Sequence, residues 1–239
     1  MHRSHLGIYQ KPWHLLTTLL VVILPFVFLL AFSRIAHIAT GQLFANVFIS
    51  FFRIFIAYLV APLLGWIAAA FLYRGKRAAV ALPIFDVLQS FPTFALLPMV
   101  TLLWGASEIT VIIFLVVTII WPIFFSIVGS FKSMQQDWRE AVRVMDLRGF
   151  AYLRYYLIPM SMPGFITGSI IGLGEGWEAL VATEIIMHMK TGLGNFFEAY
   201  AQNPAITGFG ILGFLILIFC INKIIWMPLL EWGHHRLEE

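Results

Sequence analysis

Charge is scarce in this chain. Asp, Glu, Lys and Arg together make up 11% of its 239 residues, against about a quarter in a soluble domain. So little charge excludes an ordinary water-facing surface. A hydrophobic content of 61% and a mean hydropathy of +0.90 point to the bilayer instead. Cysteine is nearly absent as well. The single Cys220 has no partner for an intrachain disulfide, and its apolar setting says nothing of compartment. Two nucleotide signatures are missing: a GxxxxGK[ST] phosphate loop, and a dinucleotide fingerprint of strand, glycine-rich turn and helix. No nucleophile and base stand in a recognisable arrangement, which argues against an enzyme. The net charge of +3 follows membrane topology and comes with no basic aromatic surface, so nucleic acid is not a partner.

What is present is a series of long apolar runs, and the expected fold is an all-α membrane protein of about six transmembrane helices. The spans cover roughly Trp13–Phe32, Phe44–Tyr73, Ala78–Leu103, Ile109–Val128, Pro163–Ala182 and Phe209–Leu230. The first resembles a signal peptide, but its run is long and no small-residue cleavage pattern closes it, so it reads as retained. The second exceeds a minimal span and holds Arg53, which implies tilt or a part outside the hydrocarbon. This divides the chain into an N-terminal segment over 1–12, a transmembrane domain over 13–230 and a tail over 231–239.

Orientation follows the bias of Lys and Arg. With the N-terminus inside, eleven of the 15 basic residues fall on inside segments and only Arg34 and Lys190 fall outside. Six spans return the C-terminus to the same side. The reading is a multi-pass membrane protein with both termini cytoplasmic.

The densest charge lies in the loop over 131–158, FKSMQQDWREAVRVMDLRGFAYLRYYLI, with five basic and three acidic residues. Met134, Trp138, Ala141 or Val142, and Met145 recur at helical spacing and form one apolar stripe. Glu140 and Arg143 can pair on the opposite face. Gly149 then breaks the helix, and Pro159 and Pro163 limit the aromatic-rich segment that follows. Two short helices with a bend at the cytoplasmic face result. Such a hairpin either docks a protein or lies on lipid headgroups, and the acids among its bases favour the protein.

Within the membrane, Asp86, Glu175 and Glu178 are costly unless they face protein, water or a partner. Glu175 and Glu178 share a helical face. They serve either an ion or proton site or structural pairing, for instance with Arg53 or Lys223. Pro83, Pro92 and Pro98 are expected to interrupt the third run. Broken helices line transport paths, which would bring Gln89, Ser90, Thr93 and Trp104 to a polar solute; a kinked packing helix is the alternative. Gly164, Gly168, Gly172, Gly174 and Gly176 allow close helix approach, and the first three form one small face. The outer segment from Glu184 to Pro204 reads as a binding-protein contact or a partly embedded hairpin. No metal site is expected, because adjacent Met187, His188 and Met189 do not converge on one ion.

Several of these segments resemble one family. EAVRVM, the glycine beyond it and LIPMSMP are similar to the cytoplasmic loop of ABC importer permeases, with Pro159 nineteen residues after Glu140. Val142 replaces the motif's second alanine, and Asp146 stands where its glycine is usual, which shifts the bend or alters docking. SFFRIFIAYLVAPLLGWIAA from Ser50, PIFDVLQSFPTFALLPMVTLLWG from Pro83 and GEGWEALVATEII from Gly174, followed by TGLG, resemble the nitrate, sulfonate and taurine branch. The resemblance implies a type I importer permease with no cofactor of its own. It would pair with a second permease subunit, receive solute from an external binding protein, and dock a cytoplasmic ATPase dimer that uses ATP and magnesium. Glu140, Ala141 and Arg143 would then be docking residues and Asp146 and Gly149 would shape the bend. Met134 and Trp138 would supply apolar contacts there, or pack on their own bundle. The implied substrate is a small organic or inorganic anion such as a sulfonate or nitrate. An ion-coupled secondary transporter is the competing class, but neither internal repeats nor a clear coupling-ion site appear. A non-transporting scaffold is another.

Overall fold

In lipid every backbone N–H and C=O must be satisfied within the chain, so long apolar runs become helices. The computed structural model describes residues 12–133, 140, 142, 144–226, 228 and 229, with side chains from residue 18 onward. Its helices are α1 (Pro12–Ile35), α2 (Thr40–Leu72), α3 (Gly75–Ser90), α4 (Thr93–Trp104), α5 (Glu108–Lys132), α6 (Gly149–Tyr152), α7 (Ile158–Ile186), α8 (Leu193–Ala199) and α9 (Pro204–Ile221). Wider, π-helical turns join α6 to α7 over Leu153–Leu157 and prolong α9 over Asn222–Trp226. The described residues contain no strand. Five stretches are long and apolar enough to cross a bilayer, or six if the bent pair α3 and α4 is one span.

Helix direction decides between five and six. At one end of the bundle Arg53 of α2 meets Glu108, the first residue of α5. At the other end Tyr73, just past α2, packs against Phe131 at the close of α5, with ring centroids 4.6 Å apart. Helices α2 and α5 are therefore parallel, and the chain must recross the bundle between them. Only α3 and α4 can make that crossing. α7 is antiparallel to both, since Ser161 near its start accepts from Trp66 Nε1 at 2.8 Å and Glu184 near its end reaches Arg53. α1 and α9 run antiparallel to each other, with Phe32 beside Phe209.

The prolines behave differently from expectation. Only Pro92 ends a helix, at the 82° bend between α3 and α4. Pro83 and Pro98 lie inside α3 and α4 without ending them, both exposed on the isolated chain. Pro159 and Pro163 do not stop their helix either. Pro159 sits in the first turn of α7, where a missing N–H costs least, and the wider turn before it absorbs the change of register.

The core lies where α2, α5 and α7 meet. Ala57, Ala61, Leu115, Ile119, Ile123, Ile127, Ala179 and Leu180 are completely buried there. Close approach of α5 and α7 depends on the small face of α7. A β-carbon at Gly168 would stand 2.6 Å from Ile123 Cα and 2.7 Å from Pro122 O, whereas one at Gly174 would meet nothing within 4 Å. Gly164, Gly168, Gly172 and Gly176 thus pack as expected, and Gly174 does not. On the outer faces of α1, α2 and α9, large apolar side chains such as Leu19, Phe48, Leu63 and Leu215 stay exposed, as lipid contact requires.

Candidate functional site

The loop over 131–158 joins the ends of the two most closely packed helices, α5 and α7. Met134, Trp138, Ala141 and Arg143 lie outside the described residues. Glu140 is helical and exposed, and Val142 and Val144 are also helical. The helix then ends in a turn at Met145 and Asp146 and passes through extended Arg148 into α6. Both Asp146 (φ 47°) and Gly149 (φ 55°) take the left-handed conformation. Glycine enters this region without a Cβ penalty, and aspartate is among the few other residues that tolerate it. Asp146 Oδ1 accepts from Arg148 Nε at 2.8 Å, an exposed pair that adds little by itself. An Asp146→Gly variant is expected to stay within about 1 kcal/mol of the parent. Asp146→Val should cost roughly 1–2 kcal/mol through the left-handed strain. Hydrogen exchange across 144–149 should be unchanged in the first and clearly faster in the second.

The expected path residues form two separate groups. On α3, Gln89 Nε2 donates to Asp86 Oδ1 at 3.0 Å and Ser90 Oγ donates to the Asp86 carbonyl at 2.7 Å. All three are exposed on the isolated chain, Thr93 is half-buried just past the bend, and Trp104 is 63% exposed at the end of α4. On α7, Glu175 and Glu178 are exposed one helical turn apart. Glu178 borders a groove of about 620 Å³ between α7 and α9 that includes Trp177, Val181 and Phe214. Neither acid pairs with Arg53, whose carboxylate partners are Glu108 and Glu184. Lys223 lies instead over the Phe219 ring, 5.8 Å from its centroid.

At the opposite end from the loop the helices are tied by a buried polar cluster that residue patterns did not assemble. Arg53 is 2% exposed. Its Nη1 donates to Glu184 Oε1 at 2.6 Å and to the Thr191 carbonyl at 2.8 Å. Its Nε and Nη2 grip the two oxygens of Glu108, each at 2.6 Å, in a bidentate pair. Glu184, fully buried, also accepts from Ser50 Oγ and from the Gly194 N–H, each at 2.7 Å. Asn46 Oδ1 and Ser50 Oγ accept from the N–H groups of Gly192 and Leu193 at 3.0 and 2.8 Å. One guanidinium thus fastens α2, α5, α7 and the 191–194 turn. That turn has to be glycine, because a β-carbon on Gly192 (φ 118°) or Gly194 would run into the Glu184 side chain. The segment from Glu184 to Pro204 is accordingly a hairpin embedded in the bundle, with Met187, Leu193 and Phe196 buried. His188 pairs with Glu198 at 2.7 Å. Among the described residues, no group of three or more His, Cys, Asp or Glu side chains is placed to hold a metal ion.

Residues 61–230 match the family described as "Binding-protein-dependent transport system inner membrane component". The chain is 30% identical over 179 residues to the nitrate import permease protein NrtB of Synechocystis sp., covering 72% of this chain and 65% of that one. It is 29% identical over 122 residues to the bicarbonate transport system permease protein CmpB of Synechococcus elongatus, covering 51% and 44%. To the taurine transport system permease protein TauC of Escherichia coli it is 30% identical over 120 residues, covering 50% and 43%. The matched part therefore spans less than two thirds of the first relative and less than half of the other two.

Proposed function

The chain belongs to the binding-protein-dependent transport system inner membrane components, the permease subunits of ABC importers, in the nitrate, sulfonate and taurine branch, and from that premise we propose how it works. It forms a solute path with a second permease subunit, of the same or a related chain. An external binding protein delivers the solute, and a cytoplasmic ATPase dimer, holding ATP and magnesium, drives the path through the 131–158 loop. The loop end lies in the cytoplasm together with both termini, as the basic residues favour. The transmembrane domain over 13–230 is then the permease body.

The observation that carries this reading is the position of the loop. It connects α5 and α7, whose glycine-lined contact brings the two helix backbones together along their length. A push on the loop therefore moves both helices together rather than bending one. Arg53 ties their far ends to α2 and the outer hairpin, so the displacement reaches the opposite face. In this scheme Glu140, Ala141 and Arg143 meet the ATPase, Met134 and Trp138 supply buried anchors, and Asp146 and Gly149 set the loop's angle.

The relatives' names mention nitrate, bicarbonate and taurine, small solutes that each carry an oxoanion group. A small organic or inorganic anion is accordingly the proposed substrate. Such an anion would be repelled by bare carboxylates. Gln89, Ser90, Thr93 and Trp104 are thus better suited to contact it than Asp86, Glu175 and Glu178. The acids fit better as partners of the second subunit across the path.

The test is purification from the native membrane in mild detergent, with the partners identified and ATP hydrolysis measured. A stoichiometric ATPase should accompany the parent chain. Glu140→Lys, which inverts an exposed charge on the loop, should reduce its recovery at least about tenfold, as expected when a charge is inverted at a docking contact. A monodisperse chain without an ATPase, even after crosslinking in the membrane, would overturn the proposal.

A further inference from the structure

Where α2 ends, the chain turns sharply through Arg74 and Gly75 (φ 71°) into α3. This turn, the end of α6 and the wider turn after it border an open pocket of about 560 Å³. Its polar wall is formed by Tyr73, Arg74, Lys76, Arg77 and Tyr152. Three cations therefore face one cavity, and no acid lines it. Among the described residues none of the three forms an ion pair with a carboxylate. The two tyrosine hydroxyls lie 2.8 Å apart. One hydroxyl hydrogen is spent on that bond, which leaves the second as a donor. The Arg74 guanidinium lies over both rings, 5.1 Å from the Tyr73 centroid and 5.8 Å from that of Tyr152. These contacts hold it at the rim, where a guanidinium stacked on aromatics keeps its N–H edges available.

The opposite wall is apolar. Leu157 and Phe71 border the same pocket, and Phe71, 65% exposed, continues it onto the lipid-facing surface of α2. The pocket thus sits where a transmembrane helix ends, with cations and a hydroxyl on one side and acyl-chain contact on the other. Inside-positive bias accounts for the number of cations. It does not account for their convergence around a tyrosine pair beside an exposed phenylalanine.

We propose that this pocket binds a phosphate-bearing anion, supplied by the headgroup of an anionic lipid of the inner leaflet. Arg74, Lys76 and Arg77 neutralise the phosphate, the free tyrosine hydroxyl donates to one of its oxygens, and an acyl chain lies along Phe71. Basic pockets at this membrane depth are a recurrent form of headgroup recognition. Tyr152 lies in the returning arm of the 131–158 loop, so a bound headgroup also braces that arm as it enters α7. The inference depends on the membrane reading but not on transport or on an ATPase.

The experiment uses the full chain, delipidated in mild detergent and analysed by native mass spectrometry. Three probes are added separately: phosphatidylglycerol, phosphatidylcholine and inorganic phosphate. The parent chain should retain phosphatidylglycerol at least about tenfold more strongly than phosphatidylcholine, with the preference shrinking as salt is raised. The triple variant Arg74→Gln, Lys76→Gln, Arg77→Gln should lose that preference, while Arg34→Gln with Lys190→Gln, at the other end of the bundle, should keep it. Tyr73→Phe with Tyr152→Phe, which removes only the hydroxyls, should weaken retention about threefold or more. Equal retention of the two lipids by the parent chain would overturn the proposal without recourse to any variant. Retention of inorganic phosphate without preference between the lipids would overturn the lipid source and assign the pocket to a soluble anion. A preference that survives the triple variant would also overturn it, placing the lipid elsewhere.

Discussion

Arg53→Ala should be among the most damaging single substitutions in the chain. It leaves the Glu184 carboxylate, completely buried, without its cation, although Ser50 and the Gly194 N–H still point at it. Breaking a buried pair from one side costs about 3–5 kcal/mol, because the remaining charge keeps its desolvation penalty and loses its compensation. For a chain of this size that corresponds to a fall of roughly 10 °C in the unfolding midpoint in detergent. Glu108→Gln should be much milder, since the Glu108 side chain is 56% exposed and water takes the place of the arginine. Glu184→Gln should fall between them. The amide retains an acceptor for Ser50 or Gly194, and Arg53 keeps Glu108. A double variant, Arg53→Met with Glu184→Gln, should recover part of the loss suffered by Arg53→Ala, because no buried charge is then left alone. If Arg53→Ala stays within about 2 °C of the parent, the cluster is not what joins these helices.

The cluster also marks the limit of what the residues reveal in order. Arg53 stood out as a charge inside a long apolar run, read as a sign of tilt or as one candidate partner for Glu175 and Glu178. Which carboxylates it pairs with did not follow. Glu108 and Glu184 lie 55 and 131 positions away, and both sit at helix ends that a hydrophobicity pattern places only to within a few residues. Glu175 and Glu178, deeper in their run, looked more in need of a cation and turn out to face outward on the isolated chain. The spans themselves were readable, because an apolar run about 20 residues long has few alternatives in a bilayer. The 82° bend was readable only in kind. Three prolines announced a break, but Pro83 and Pro98 were absorbed by their helices and Pro92 was not. Asp146 is a further case. Its place in a glycine slot suggested a shifted bend or altered docking, whereas the backbone keeps the left-handed turn at Asp146 itself, with φ 47°.

The α5–α7 contact yields the second large effect, and it carries its own control on the same helix. Gly168→Val should be severely destabilising. Its β-carbon would lie 2.6 Å from Ile123 Cα and 2.7 Å from Pro122 O. Both are backbone atoms of a helix and cannot turn aside as a side-chain tip does. Relief requires α5 and α7 to separate along their length, which forfeits contacts of the buried Ile119, Ile123 and Ile127. Overpacking of a core costs about 1–3 kcal/mol when side chains can adjust, so a clash with backbone should reach at least the upper end. Gly174→Val makes the same chemical change six residues further along α7, where nothing lies within 4 Å. It should be neutral or slightly stabilising, since glycine in a helix interior costs roughly 0.5–1 kcal/mol against alanine. Unfolding midpoints of the two variants in one detergent therefore read packing apart from helix propensity. ATPase stimulation by the intact complex adds a second reading. If α5 and α7 carry the loop's displacement as one body, Gly168→Ala, the smallest change that crowds this contact, should impair ATP-driven transport more than it impairs ATP hydrolysis. Equal loss of both would mean that the substitution only unfolds the permease, and unchanged transport would mean that the two helices need not move together.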